Sequence, residues 1–302
     1  MKSKCVFQNH PYTEKPRTTP FLVTKDDVAP FIYPTPQIGM DYSDISYIYV
    51  STEEFTVSWY TVAAGSSFRP ADYHAGDEVY VVLEGTLSML NTSTGQLVSV
   101  HEGEGLLMPM GTPHIGYNFG SVKTKTAAFL APKIFADQGF PEDTIGKIRV
   151  FKSPNKGEAY DLKNLPQRAG VLDDLGRWPV DGKTARESNV FYHIPEDRKL
   201  LAIDGVDNPV LLKFIVSNDF FHVAEMIIPA GGKGARMTEP HKHEGDCVVY
   251  VNKGCVSALI YDTRETFQIH DDEALFIPKG MTYQLFNYES VAQHPLICAV
   301  KL

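Results

Sequence analysis

Short runs in which apolar and polar residues alternate recur along this chain, each closed by Gly, Pro, Ser or Asn. In the first part they are Ile45–Val50, Thr56–Val62, Glu78–Val82, Leu87–Asn91, Leu97–His101 and Gly105–Met108. The rhythm returns in Val210–Val216, His222–Pro229, Cys247–Val251, Val256–Tyr261, Thr266–His270 and Ala274–Pro278. Runs of this length, rich in β-branched and aromatic residues and bounded by turn formers, predict strands. Many of them in succession predict an antiparallel sandwich or barrel. Sustained helical periodicity is absent, so the expected class is all-β.

The two series of strands are copies. Asp72-Tyr73-His74, Glu78, Gly85, Pro109-Met110-Gly111, His114 and Asn118 in the first part answer to His241-Lys242-His243, Cys247, Gly254, Pro278-Lys279-Gly280, Tyr283 and Asn287 in the second. The offset is constant (243 − 74 = 169, 254 − 85 = 169, 278 − 109 = 169, 287 − 118 = 169). An ungapped match over so long a window means duplication. The length of 302 residues suits two domains.

The expected organisation is an extended arm over residues 1–45, a first barrel over 46–135, a connection over 136–205 and a second barrel over 206–302. The arm carries Pro11, Pro16, Pro20, Pro30, Pro34 and Pro36, a density that excludes sheet interior and helix. It is expected to lie across a barrel of the same or a neighbouring subunit. The connection mixes Gly, Pro and charge, and is expected to be irregular with a helical turn or two.

Composition narrows the function classes. The net charge of −9 with no basic block argues against a nucleic-acid surface. The four cysteines, Cys5, Cys247, Cys255 and Cys298, have no CxxC spacing, which favours a reducing compartment. No run of 18 apolar residues occurs and the first residues carry no apolar leader, so the expectation is a cytoplasmic protein with no membrane partner.

The repeated segments DYHAGDEVYVVLEG with PMGTPHIGYN, and HKHEGDCVVYVNKG with PKGMTYQLFN, resemble the two motifs of the cupin superfamily. That pattern is HxH(x)3–4E(x)6G followed by PxG(x)2H(x)3N. The resemblance covers about fifty residues in each half. It implies two tandem jelly-roll-like double-stranded β-helix barrels, a bicupin, each with room for a metal at its centre; with the arm across a barrel edge, a homodimer or larger assembly is expected.

By motif match the first copy offers His74, Glu78 and His114 as metal ligands. Asp72 stands where the family has its first His, either as a further ligand or orienting a ligand or water; Glu78 and Asp72 are also the candidate catalytic residues. Residues two apart on a strand share a face, so Asp72 and His74 point the same way, as do His241 and His243. Two imidazoles and a carboxylate with open positions suit divalent iron first, with manganese, nickel, cobalt or zinc as alternatives. In the second copy Cys247 replaces the Glu and Tyr283 the third His. His241, His243 and Cys247 form an alternative metal set there; the competing reading is a structural barrel with a residual pair of histidines.

The expected function is a metal-dependent enzyme acting on a small-molecule substrate, with a dioxygenase as the leading reading. A Lewis-acid isomerase, decarboxylase or lyase is the alternative within the superfamily, and a non-catalytic small-molecule-binding bicupin the alternative outside enzymology. Arg168, Arg177 and Arg186 in the connection are expected to form surface pairs rather than to hold an anionic substrate.

Overall fold

The structure, a computed structural model, describes residues 18–24, 26–28, 31–32, 44–52, 54–68, 71, 73–132 and 174–301. Asp72, Arg168 and most of the 136–205 connection therefore lie outside the described residues.

The first half contains β1 (Phe21–Val23), β2 (Phe31–Ile32), β3 (Asp44–Ser51), β4 (Thr56–Val62), β5 (Asp77–Glu84), β6 (Thr86–Asn91), β7 (Leu97–His101), β8 (Gly105–Met108), β9 (His114–Tyr117) and β10 (Thr124–Ala131). A short helix, α1 (Gly182–Ser188), follows, then β11 (Tyr192–Ile194) and β12 (Leu200–Asp204). The second half contains β13 (Val210–Ser217), β14 (His222–Ile227), β15 (Arg236–Met237), β16 (His241–Lys242), β17 (Cys247–Val251), β18 (Val256–Ile260), β19 (Glu265–Ile269), β20 (Glu273–Ile277), β21 (Thr282–Asn287) and β22 (Leu296–Ala299). Every run predicted as a strand is one, with ends displaced by two residues at most. No described helix is long and apolar enough to cross a membrane.

Each half pairs a large sheet with a small one. In the first, a seven-stranded sheet of order β11-β8-β5-β10-β4-β3-β2 accompanies the three-stranded β7-β6-β9. In the second, a seven-stranded sheet of order β1-β20-β17-β22-β14-β13-β12 accompanies a five-stranded sheet built on β15-β21-β18-β19, with β16 also on β21. The period of two along β5 explains the packing. Val79 and Val81 join a core cluster shared with Val248, Tyr250 and Phe276 of the other half, whereas Tyr80 and Val82 join a separate core inside the first barrel. Buried on both faces, β5 must read as a near-continuous apolar run. On β17 the parity is the same: Cys247, Val249 and Val251 belong to the second barrel's own core. Gly85 and Gly254, at equivalent tight turns, have φ of +81° and +103°, which favours glycine.

The connection is not merely irregular, and here the structure corrects the sequence reading. Within its described part, β11 adds to β8 of the first half through Tyr192↔Leu107, and β12 closes the outer edge of the second half's large sheet on β13. The arm does the converse, since β1 adds to β20 of the second half through Phe21↔Phe276. The two receiving positions are repeat counterparts (276 − 107 = 169). Each half thus receives a strand at the equivalent edge from a segment outside its own run of strands, which satisfies backbone groups that an open edge would leave unpaired. Helix α1 is expected from its cap, where Asp181 accepts a hydrogen bond from Thr184 N.

Candidate metal centre

The inner face of β5 continues at its start with Glu78, on the same parity as Tyr80 and Val82, so its carboxylate enters the first barrel. His114, the first residue of β9, comes from the small sheet, and His74 from the loop before β5. Glu78 Oε2 lies 3.3 Å from His74 Nε2 and 3.3 Å from His114 Nε2. The three ligand atoms lie within 4.8 Å of one another, and among the described residues this is the one such group of His, Cys, Asp and Glu. Glu78 and His114 are 4% and 2% exposed, whereas the His74 side chain keeps 10% of its surface open, so the set is buried with His74 at its outer side.

The electrostatics point to a cation. Burial alone would raise the Glu78 carboxyl, but His74 and His114 outweigh it and hold it at about 2. His114 Nδ1 lies 3.1 Å from the Thr112 carbonyl and donates there. Once the ring is neutral, Nε2 is a lone pair facing Glu78, and the hold on the carboxylate is kept only if another positive charge replaces the imidazole proton. Glu78 Oε2 is fully buried with no hydrogen-bond partner beyond the two imidazole approaches. Lone pairs facing each other in a dry site are unfavourable unless positive charge lies between them. Two donors each about 2.1 Å from one ion and set at a right angle stand roughly 3 Å apart, close to the spacing seen here. His74, Glu78 and His114 therefore fit a divalent metal.

The loop carrying His114 is pinned to the loop carrying His74. Gly111 N donates to His74 O at 2.9 Å, and Met110 N donates to Asp77 Oδ1 at 2.8 Å. Asp77 is fully buried on the outer face of β5, where its other oxygen accepts from Arg186 Nη1 at 2.8 Å and Asn218 Nδ2 at 2.9 Å. Arg186 also meets Asp219 at 2.6 Å, while Arg177 approaches Asp174 at 3.9 Å. Of the two connection arginines that are described, Arg177 forms the surface pair expected, whereas Arg186 is largely buried and pairs with the buried Asp77 at the junction between the halves, which corrects the surface reading. Asp77 was not singled out from sequence; its repeat counterpart Asp246 (246 − 77 = 169) was the available signal.

No protein-family model and no curated protein sequence matches the chain. Solved structures do. AerE from Microcystis aeruginosa aligns over 93% of this chain and 99% of its own, with a TM-score of 0.58 at 11% identity. The oxalate decarboxylase of Lactobacillus farciminis, as its formate complex, aligns over 96% of this chain and 88% of its own, with a TM-score of 0.59 at 13% identity. A Bacillus subtilis oxalate decarboxylase aligns over 96% and 80%, with a TM-score of 0.59 at 14% identity. The chain has the cupin fold.

In the second cupin half the scaffold is kept and the ligands are not. Gly280 N donates to His243 O at 2.8 Å and Lys279 N to Asp246 Oδ1 at 3.1 Å, repeating the two ties of the first half. Cys247, in the place of Glu78, is buried, and burial pushes its thiol up to about 12. The hydroxyl of Tyr283, in the place of His114, lies 2.9 Å from His243 Nε2 and 3.7 Å from Cys247 Sγ. His241 turns elsewhere, with Nε2 3.5 Å from Asp204 Oδ2 on β12. His241, His243 and Cys247 are thus not gathered as the first set is. Tyr283 fills the space between two of them, and the thiol is held protonated.

Proposed function

We propose that the first cupin half is the active site of a metal-dependent enzyme acting on a small metabolite. The observation that carries this reading is the buried, otherwise unpartnered Glu78 Oε2 between two imidazole Nε2 atoms. His74, Glu78 and His114 would hold the ion. Asp72 would add a second carboxylate or orient a water or imidazole beside it. A divalent ion held by two imidazoles and a carboxylate offers open positions at which it activates dioxygen or polarises a substrate oxygen.

The chain's own groups prepare the site. The Thr112 carbonyl fixes the tautomer and ring orientation of His114. Glu78 is ionised at neutral pH and binds a cation without first losing a proton. Phe68 and Tyr80 stand edge-on to His114, with ring centroids at 6.1 and 6.2 Å, and form an apolar wall that keeps water from the ligands. Such a wall strengthens every charge interaction at the centre.

Within this proposal an iron-dependent dioxygenase is the leading reading, because the two-His-one-carboxylate set with open positions is the arrangement of non-haem Fe(II) oxygenases. A Lewis-acid decarboxylase, isomerase or lyase is the second reading. It is supported by the similarity of the fold to oxalate decarboxylases, one of which is described with Mn(II) centres. A homodimer belongs to the same proposal, supported by the exposed apolar residues Leu201 and Ile203 on the edge strand β12.

The test is elemental analysis of protein purified without chelator, followed by oxygen uptake and carbon dioxide release with small enols, catechols and dicarboxylates. About one equivalent of iron with substrate-dependent oxygen uptake supports the dioxygenase. Manganese with carbon dioxide release and no oxygen consumption supports the alternative. His74→Ala removes the metal and His243→Ala leaves it; metal retained in His74→Ala would refute the site.

A further inference from the structure

Where the first half has its metal centre, the second half has a half-open cavity of about 330 Å³, lined in part by His241, His243 and Tyr283, the counterparts of Asp72, His74 and His114. That size lies at the lower end of small-molecule sites, roughly 300–1,000 Å³. Most of its wall is apolar, with Phe214, Met226 and Ile297 among the lining residues.

The polar lining is unsatisfied. His243 Nδ1 is shielded from solvent without a hydrogen-bond partner, and His241 Nε2 and Asp204 Oδ2 face each other at 3.5 Å without forming a hydrogen bond; all three residues line this cavity. A buried polar atom left without a hydrogen bond is costly, so the orphaned His243 nitrogen beside the loosely met His241–Asp204 pair marks a site where a ligand gains by supplying partners. A structural filler would not need them. Tyr283 already occupies the volume of the missing imidazole and satisfies His243 Nε2, yet His243 Nδ1 is left unmet.

The chemistry of these atoms selects the ligand. Asp204 accepts only, whereas an imidazole nitrogen donates or accepts according to tautomer. A carboxylate ligand would meet the charge of Asp204; an ammonium ligand would meet Lys242, which lines the same cavity. A full charge among apolar walls is expensive. Burial keeps the imidazoles uncharged, with His222 and His243 both lowered to about 4. A hydroxyl group both donates and accepts, and so satisfies a mixed set without bringing charge.

We propose that the second cupin half is a metal-independent binding site for a small neutral molecule with an apolar body and one hydroxyl group, of the phenol or enol class. The apolar body packs against Phe214 and Met226, and the hydroxyl bridges between His243 and the His241–Asp204 pair. This inference does not rest on the reaction assigned to the first half.

The experiment is calorimetric titration of the full-length protein with p-cresol, toluene, benzoate and benzylamine, before and after removal of metal by chelator. Saturable binding of p-cresol, tighter than all three others and unchanged by the chelator, is expected. His243→Phe keeps the ring volume and removes the nitrogens, and should weaken p-cresol by about three- to tenfold. Asp204→Asn, on a partly exposed residue, should keep the fold and weaken p-cresol to a smaller extent. His114→Ala in the first half should leave the affinity unchanged, and ¹⁵N-histidine spectra should show p-cresol shifting the signals of His241 and His243. Absence of saturable p-cresol binding overturns the proposal. So does tighter binding of benzoate or benzylamine, or loss of p-cresol binding in His114→Ala with the His243→Phe variant unaffected.

Discussion

The carboxylate of Asp77 accepts a hydrogen bond from the backbone N–H of Met110 at 2.8 Å, joining the strand that carries Glu78 to the loop that delivers His114. Neighbouring residues on β5 thus divide the work by parity: Glu78 faces into the barrel, and Asp77 faces out to fix the loop and to meet Arg186 and Asn218 at the junction of the halves. Replacing Asp77 by Ala leaves the mostly buried Arg186 with only Asp219 and frees the loop. The expected loss is about 3 kcal/mol, the usual scale for removing one member of a buried pair. Urea denaturation measures it, and metal affinity should fall in the same variant. Asp77→Ala with unchanged stability and unchanged metal content would separate the loop from the site.

Restoring the lost ligands tests the comparison between the halves. Cys247→Glu alone buries a carboxylate beside a neutral tyrosine and should destabilise the protein by a few kcal/mol. Combined with Tyr283→His it should recover stability and raise the metal content by about one equivalent. Elemental analysis and thermal melting of the two variants decide this. A double variant no better than the single one would show that the second half has lost more than its ligands.

Gly116 faces the ring of Phe68, and a Cβ built on it would lie 2.1 Å from Phe68 Cε1. Gly116→Ala must therefore push Phe68 towards or away from His114. Overpacking of this kind costs about 1–3 kcal/mol, and here it also moves a wall of the metal centre. The variant should fold with a lower melting temperature and weaker metal binding, whereas Gly65→Ala, in open space at a surface turn, should leave metal content intact.

The buried imidazoles of the second half set a pH dependence. His222 and His243 fall from 6.5 to about 4 through burial. In the unfolded chain they take up protons as pH drops through about 6.5, while in the folded protein they stay neutral until about 4. The unfolded state therefore binds more protons in that window, and stability declines as pH falls, by on the order of 3 kcal/mol per histidine across it. Above pH 6.5 the two groups contribute no slope. Denaturation of metal-free protein between pH 7.5 and 4.5 should show the decline, and His222→Gln should make it shallower by one proton. An unchanged slope in that variant would show that His222 is protonated in the folded protein.

The alternation of apolar and polar residues placed the strands that were predicted, and the 169-residue offset showed the duplication. His74, Glu78 and His114 were named through the resemblance to the cupin motif, whose ligands sit on a strand and a repeated loop and so can be read locally. Strand β10 was not predicted, because a strand buried along its whole length shows no alternation; the rest of what escaped the sequence depends on distant partners. The role of Asp77 needs Met110 and Arg186, which lie 33 and 109 residues away. The surroundings of Cys247 include Tyr283, 36 residues on, whose hydroxyl lies 3.7 Å from its sulfur and stands between it and His243. Strands β1 and β11 have three residues each, too few for a period to show, and are held by edges contributed from elsewhere in the chain. Asp204 meets His241 only because β12 pairs with β13 at the rim of the second cavity, and nothing in the local sequence announces that pairing.

The reciprocal placing of β1 and β11 governs how the chain can be assembled. During synthesis the first half emerges without the strand that completes it on β8, and the arm strand β1 waits for β20, more than two hundred residues later. Neither half can reach its finished form alone, so closing these long loops is expected to make folding slow. A cleavage between residues 132 and 174 would yield fragments each carrying a strand that belongs to the other. Such fragments should be poorly soluble apart and should regain structure when mixed. In evolutionary terms the two halves are bound to one another: the second, whatever has become of its metal ligands, cannot be deleted without undoing the first.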